Sequence, residues 1–161
     1  MSGIVDLSYL IRFSEPLLMG GEFMFLSLPG GYPSEKLSPI CTFVEPEGVS
    51  VIVPRELAVQ AGFVATRAFR QITLRVNSSL NAVGFLAAVA GALASAGIPC
   101  NAVSAFHHDH LFIPSELATR ALDVLTQLSE TPPNEAPESK TVAITNTSAP
   151  LSHSGPSSRD S

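Results

Sequence analysis

Short runs of alternating apolar and polar residues are interleaved along this chain with stretches of helical spacing, and their order predicts a mixed α+β protein. A strand is expected at Glu22 to Pro29, followed by a Gly/Pro/Ser loop from Gly30 to Pro39. Two further strands, Ile40 to Glu45 and Val49 to Val53, are joined by the turn-forming Glu45-Pro46-Glu47-Gly48. Pro54 stops the second of these and starts a short helix, Arg55 to Ala61, which Gly62 ends in the left-handed region. Phe69 to Val76 alternates cleanly: Ile72, Leu74 and Val76 share one side, with Gln71, Thr73 and Arg75 on the other. A helix from about Leu80 to Ala96, closed by Gly97, leads to strands Cys100 to Phe106 and His110 to Ile113. A last helix spans Ser115 to Leu128, and the first twenty residues are expected to pack across this unit.

The chain repeats itself. Val51-Ile52-Val53-Pro54-Arg55-Glu56-Leu57-Ala58 aligns with Leu111-Phe112-Ile113-Pro114-Ser115-Glu116-Leu117-Ala118 at an offset of 60 residues, with Pro, Glu, Leu and Ala identical. Each copy makes sense as a strand, a proline opening a helix, and a glutamate near the positive end of its dipole. The second half reads as a complete βαββα unit; in the first, the Gly30 to Pro39 loop replaces the long helix. One added strand would close each unit as a ferredoxin-like sandwich, drawn from the neighbouring unit or the chain ends. The expected division is a truncated first unit at 1–66, a full second unit at 67–128, and a tail at 129–161. Exposed sheet edges in units this small favour side-by-side association, within the chain or as a homodimer.

No Asp, Glu, Lys or Arg occurs between Val76 and His108, and the helix in this stretch carries two apolar stripes. These are Val83, Leu86, Ala90, Leu93 and Phe85, Val89, Ala92, Ala96, so both sides of the helix call for cover. A membrane span is disfavoured, because seven of the seventeen residues from Ala82 to Ile98 are Ala and three are Gly, with no aromatic or basic belt. The better expectation sets one stripe on the sheet and the other on a helix of a partner unit.

Composition narrows the possible partners. With 45% hydrophobic and 14% charged residues, and a net charge of -5, the chain has material for a core but no basic surface for nucleic acid. Two cysteines, Cys41 and Cys100, suit neither a disulfide framework nor a four-thiolate zinc site. Met1 to Arg12 lacks the pattern of a secretory signal, so a cytoplasmic location is expected. From Ser129 onward, eight Ser and five Pro without an aromatic residue predict a disordered tail; its TVAIT run (Thr141 to Thr145) could add an edge strand, but a chance β-prone pentamer is the preferred reading.

Two polar groups could carry chemistry. His107, His108, Asp109 and His110 form the densest cluster, and three histidines with an aspartate could hold a divalent ion or serve a metal-dependent hydrolase. A polar hairpin turn explains them as well, no distant Cys or His completes the set, and a Ser104/His107/Asp109 triad lacks a nucleophile elbow. Asn77-Ser78-Ser79-Leu80-Asn81, leading from sheet to long helix, is more coherent: small polar residues cap the helix, and its free N–H groups can receive a carboxylate. Val83, Gly84 and Ala87 would leave room for an amino-acid side chain, with Asn101, Val103 and Ser104 on the facing strand. Neither a catalytic residue nor a cofactor or metal requirement is assigned.

Phe69 to Leu74, Ser79 to Val89, Ala96 to Asn101 and His108 to Pro114 together resemble the ACT domain, in the tandem group related to the ACT units of aspartate kinase and the eukaryotic cytosolic arginine sensor. The resemblance covers about Gly21 to Leu128. It implies a ferredoxin-like fold, pairing of ACT units and an amino acid bound at their interface, at positions Asn77 to Gly84 and Asn101 to Ser104. The function it implies is a non-catalytic sensor acting on a separate protein partner. The alternatives from the residues themselves are a metal protein built on His107 to His110, or a structural dimerisation module.

Overall fold

The computed structural model describes residues 3–28, 30, 33–64 and 67–131. Asp6 accepts a hydrogen bond from the Tyr9 N–H at 2.7 Å and so starts α1 (Leu7–Arg12), a helix that the sequence pattern left unassigned. The chain then forms β1 (Pro16–Leu18), β2 (Phe23–Leu28), a 3-10 turn at Ser34–Leu37, β3 (Cys41–Glu45), β4 (Gly48–Pro54) and α2 (Arg55–Gln60). The second half supplies β5 (Phe69–Leu74), α3 (Phe85–Ser95), β6 (Asn101–Ser104) and β7 (Asp109–Pro114). A 3-10 turn at Ser115–Leu117 then runs into α4 (Ala118–Glu130).

All seven strands join one antiparallel sheet in the order β3-β4-β2-β5-β7-β6, with β1 also on β5. The missing strand of the second unit is therefore contributed by the amino-terminal segment: Pro16, Leu17 and Leu18 pair with Leu74, Thr73 and Ile72. After Gly20 and Gly21 the same segment leaves β5, touches it once more at Phe23↔Phe69, and continues as β2 along β4. One stretch of chain thus sews the two units into a single sheet.

Strand alternation separates the two faces. In the second unit Ile72, Leu74, Leu111 and Ile113 point toward the helices and form a core with Leu10, Phe85, Val89, Leu93, Ala121 and Leu125. In the first, Met24, Leu28, Val51 and Val53 do the same with Leu37 and Ala58. The repeat is visible here, since Ala58 and Ala118, both almost fully buried, occupy matching places on α2 and α4.

Three expectations change. The long helix begins at Phe85 instead of about Leu80, because Gly84 has φ +89° and Ala82 closes a turn onto the Ser79 carbonyl. Only one stripe of α3 is covered along its length: α1 and α4 pack on the helix, Phe85 and Val89 are buried with Ala92 and Ala96 half-buried, while Val83 and Ala90 of the other stripe remain exposed, as do Ala87, Gly91 and Ala94 outside both stripes. Small residues make that exposure cheap, since burial free energy scales with apolar area. Finally, α4 runs to Glu130, two residues into the segment expected to be tail, and an Asn/Gly-free carboxyl end is closed by Thr131. The remaining tail, with its TVAIT run, lies outside the described residues. No helix among the described residues is long and apolar enough to cross a membrane.

Candidate functional site

At one end of the helix-covered face, the loop after β5, the start of α3 and the β6–β7 hairpin enclose a crevice of about 200 Å³. Asp109 opens β7 on that face, since it shares the alternation of Leu111 and Ile113. It is only 5% exposed. Ser104 donates to its Oδ1 at 2.5 Å and Ser78 to its Oδ2 at 3.0 Å, so two hydroxyls from different elements hold one buried carboxylate. Each carboxylate oxygen keeps a second lone pair for another donor.

The loop ahead of α3 is fixed by the amino-terminal strap. Ile4 donates its N–H to the Asn77 carbonyl and accepts from the Ser79 N–H, both at 2.9 Å. Gly3 lies so close that an added Cβ would come within 2.6 Å of the Ser79 nitrogen. The Ser78 N–H is bonded to the Val76 carbonyl at 3.0 Å. The expected seat for a carboxylate on the Ser78 and Ser79 amides is therefore taken by the chain itself. Phe85, Leu86 and Ala87, the first turn of α3, also line the crevice, and their amides have no acceptor among the described residues. Gly84 sets that turn's direction, and no side chain caps it.

Of the residues expected at the site, Ser78, Ser79, Leu80, Gly84 and Ser104 line the crevice. Asn77 is exposed and contributes its carbonyl to Ile4; Val83 is 84% exposed in the loop. Asn101 sits at the far end of β6, where its amide donates to the Phe112 carbonyl. Val103 falls on the opposite face of the sheet from Ser104, because neighbouring strand residues alternate. In sequence Asp109 groups with the histidines; the Ser104–Asp109 pairing across the β6–β7 ladder gives it another setting, legible only once that hairpin register is known.

The histidine cluster does not converge. His107 is exposed with its ring against Phe106, while His108 reaches toward the Val76 carbonyl at 3.4 Å. His110 points to the helix-free face, where its Nδ1 lies 3.0 Å from both Gln71 Nε2 and Thr73 Oγ1. Among the described residues no three His, Cys, Asp or Glu side chains are grouped to hold a metal. Ser104 bonds to Asp109 directly, without His107 between them, so no nucleophilic triad is assembled.

Two ACT-domain family models match the chain in succession, over residues 2–70 and 67–127. No protein of curated function matches the sequence. Among solved structures, a Vibrio cholerae protein of unknown function, described as a possible transport protein, is 40% identical with a TM-score of 0.68; the match covers 73% of this chain and 92% of that one. The ligand-free regulatory subunit of aspartate kinase from Thermus thermophilus is 15% identical, with a TM-score of 0.52 over 73% of this chain and 98% of that one. A protein from Agrobacterium tumefaciens is 16% identical, with a TM-score of 0.53 over 71% and 87% of the respective chains. These last two likenesses concern the fold. With two matches in tandem on one ferredoxin-like sheet, the chain belongs to the ACT-domain family.

Proposed function

We propose that this protein is a non-catalytic sensor that binds a small free amino acid in the crevice at Asp109. ACT domains are typically regulatory, ligand-binding units, which supports the general class. The observation that carries the specific reading is the Asp109 carboxylate, buried between Ser78 and Ser104 and lining one small cavity with the first turn of α3, whose amides are unpaired among the described residues.

That arrangement has the two poles an α-amino acid requires. The amides of Phe85, Leu86 and Ala87 and the positive end of the helix dipole receive the α-carboxylate. Asp109 receives the α-ammonium through its remaining lone pairs, a charge-assisted bond strengthened by the low local dielectric. A volume of about 200 Å³ equals roughly seven waters at ~30 Å³ each, which suits an amino acid with a short side chain. Leu80 (67% exposed) lines the crevice, and Val83 and Phe106 (70% exposed), next in sequence to the lining residues Ala82 and Ala105, add exposed apolar surface suited to a second ACT unit or a regulated partner whose association the ligand alters. Such regulation needs a different affinity for the ligand in the two states of association.

A thermal-shift series with the twenty amino acids, each at millimolar concentration, tests the reading. A small amino acid is expected to raise Tm, and Asp109→Asn to remove that rise; absence of stabilisation by every amino acid, on protein shown to be folded, overturns it.

A further inference from the structure

The sheet face turned away from the helices holds a second cavity of about 200 Å³, lined by Ile40, Cys41, Gln71, Val103, His110 and Phe112. Its walls come from β3 and β6, the two outermost strands of the sheet, so the sheet curls until its edges share one hollow. No lining residue carries a formal charge apart from a titratable imidazole, and the floor is aromatic: Phe112 meets Phe25 and Phe23 edge-on at 5.6 and 5.8 Å.

The polar chemistry of this hollow is concentrated on one ring. Gln71 Nε2 donates to Thr73 Oγ1 at 3.1 Å and also lies 3.0 Å from His110 Nδ1. An amide nitrogen can only donate, so Nδ1 accepts with its single lone pair, beside which the Thr73 hydroxyl also lies at 3.0 Å. With Nδ1 accepting, the ring proton resides on Nε2, as a neutral imidazole carries one. No hydrogen bond to a described residue engages Nε2. Burial, and to a lesser extent the nearby His108, hold the ring below its ordinary pKa, against the pull of Asp109, which agrees with a neutral donor.

We propose that this hollow is a second small-molecule site, distinct from the Asp109 crevice, that takes an uncharged, ring-sized molecule presenting one hydrogen-bond acceptor to His110 Nε2–H. Size argues for a single ring, since an apolar cavity of ~150 Å³ admits benzene. The absence of a cationic partner in the lining argues against an anion, which would lose its hydration uncompensated.

The test is a titration of the full chain with phenol, benzene and benzoate, followed by amide shifts and by the ring nitrogens of His110 in two-bond proton–nitrogen spectra. The expected result is shifts centred on Gln71, Val103, His110 and Phe112. Phenol should bind about tenfold more tightly than benzene, the worth of one hydrogen bond, and benzoate should not bind. His110→Leu is expected to bring phenol down to the affinity of benzene. Equal affinities in the wild-type protein, binding of benzoate, shifts located elsewhere, no response to phenol, or a ring proton on Nδ1 would each overturn the proposal. The wild-type comparison decides the matter even if the variant does not fold.

Discussion

Asp109 and His110 are consecutive residues of β7, yet they serve opposite faces of the sheet: the first is locked between Ser78 and Ser104 beneath the helices, the second bonds Gln71 and Thr73 on the open side. Strand alternation turns a sequence cluster into two separate chemical environments. The same alternation removes the reason to read His107 to His110 as one metal site.

Replacing Asp109 distinguishes its electrostatic from its structural part. Asp109→Leu leaves two serine hydroxyls without their acceptor and should cost about 1–3 kcal/mol in urea unfolding. Asp109→Asn keeps an acceptor oxygen and should cost less, while still losing ligand-induced stabilisation.

Gly84 connects backbone strain to the site. At φ +89°, an alanine must adopt the left-handed conformation, and its Cβ meets Leu7 Cδ2 at 3.4 Å. Gly84→Ala is expected to destabilise the protein by about 1–2 kcal/mol, or else to rotate the first turn of α3. Equilibrium unfolding measures the former, and amide shifts of Phe85 to Ala87 reveal the latter.

The amino-terminal strap should be required by the second unit. Leu10, fully buried, belongs to the core of α3, α4 and β5. Leu10→Ala is expected to cost about 2–5 kcal/mol, read from the urea midpoint. Gly3→Ala, which crowds the Ser79 backbone, should speed hydrogen exchange at the Ser79 amide with a smaller loss of global stability.

The pH dependence of stability follows from His110. Its folded-state pKa lies below the ordinary 6.5, so the folded protein prefers the neutral ring. As pH falls through about 6.5, unfolded chains take up the proton first, and stability declines until the lower folded pKa is passed. Thermal unfolding between mildly acidic and neutral pH should show that loss, and His110→Gln should diminish it.

Arg120 closes the other end of α3, where its guanidinium donates to the Ala96 carbonyl at 2.7 Å. Exposed as it is, Arg120→Ala should cost only about 0.3–1 kcal/mol, a change visible as a small fall in Tm that shrinks at high salt.

Much of this architecture was legible in the residue pattern. The alternation of Phe69 to Leu74 and the Val51/Leu111 repeat each reflect local rules of strand pleat and helix opening, which operate over a few residues. The pattern places the start of α3 too early because Leu80 to Val83 continue an apolar rhythm that solvent, not core, receives; Leu80 and Val83 are both exposed. The helix Leu7–Arg12 and strand Pro16–Leu18 leave no mark in the pattern, because six residues and three residues carry too little periodicity to stand out.

By itself, the sequence determined the α+β class, the duplicated unit, the uncharged helix segment and the serines that border the crevice, because these depend on side-chain type and short spacing. Tertiary structure alone decided which strand completes the second unit, which amides remain open and which face each of Val103, Ser104, Asp109 and His110 occupies. Those outcomes depend on register between segments distant in sequence, where a shift of one residue exchanges the two faces of a strand.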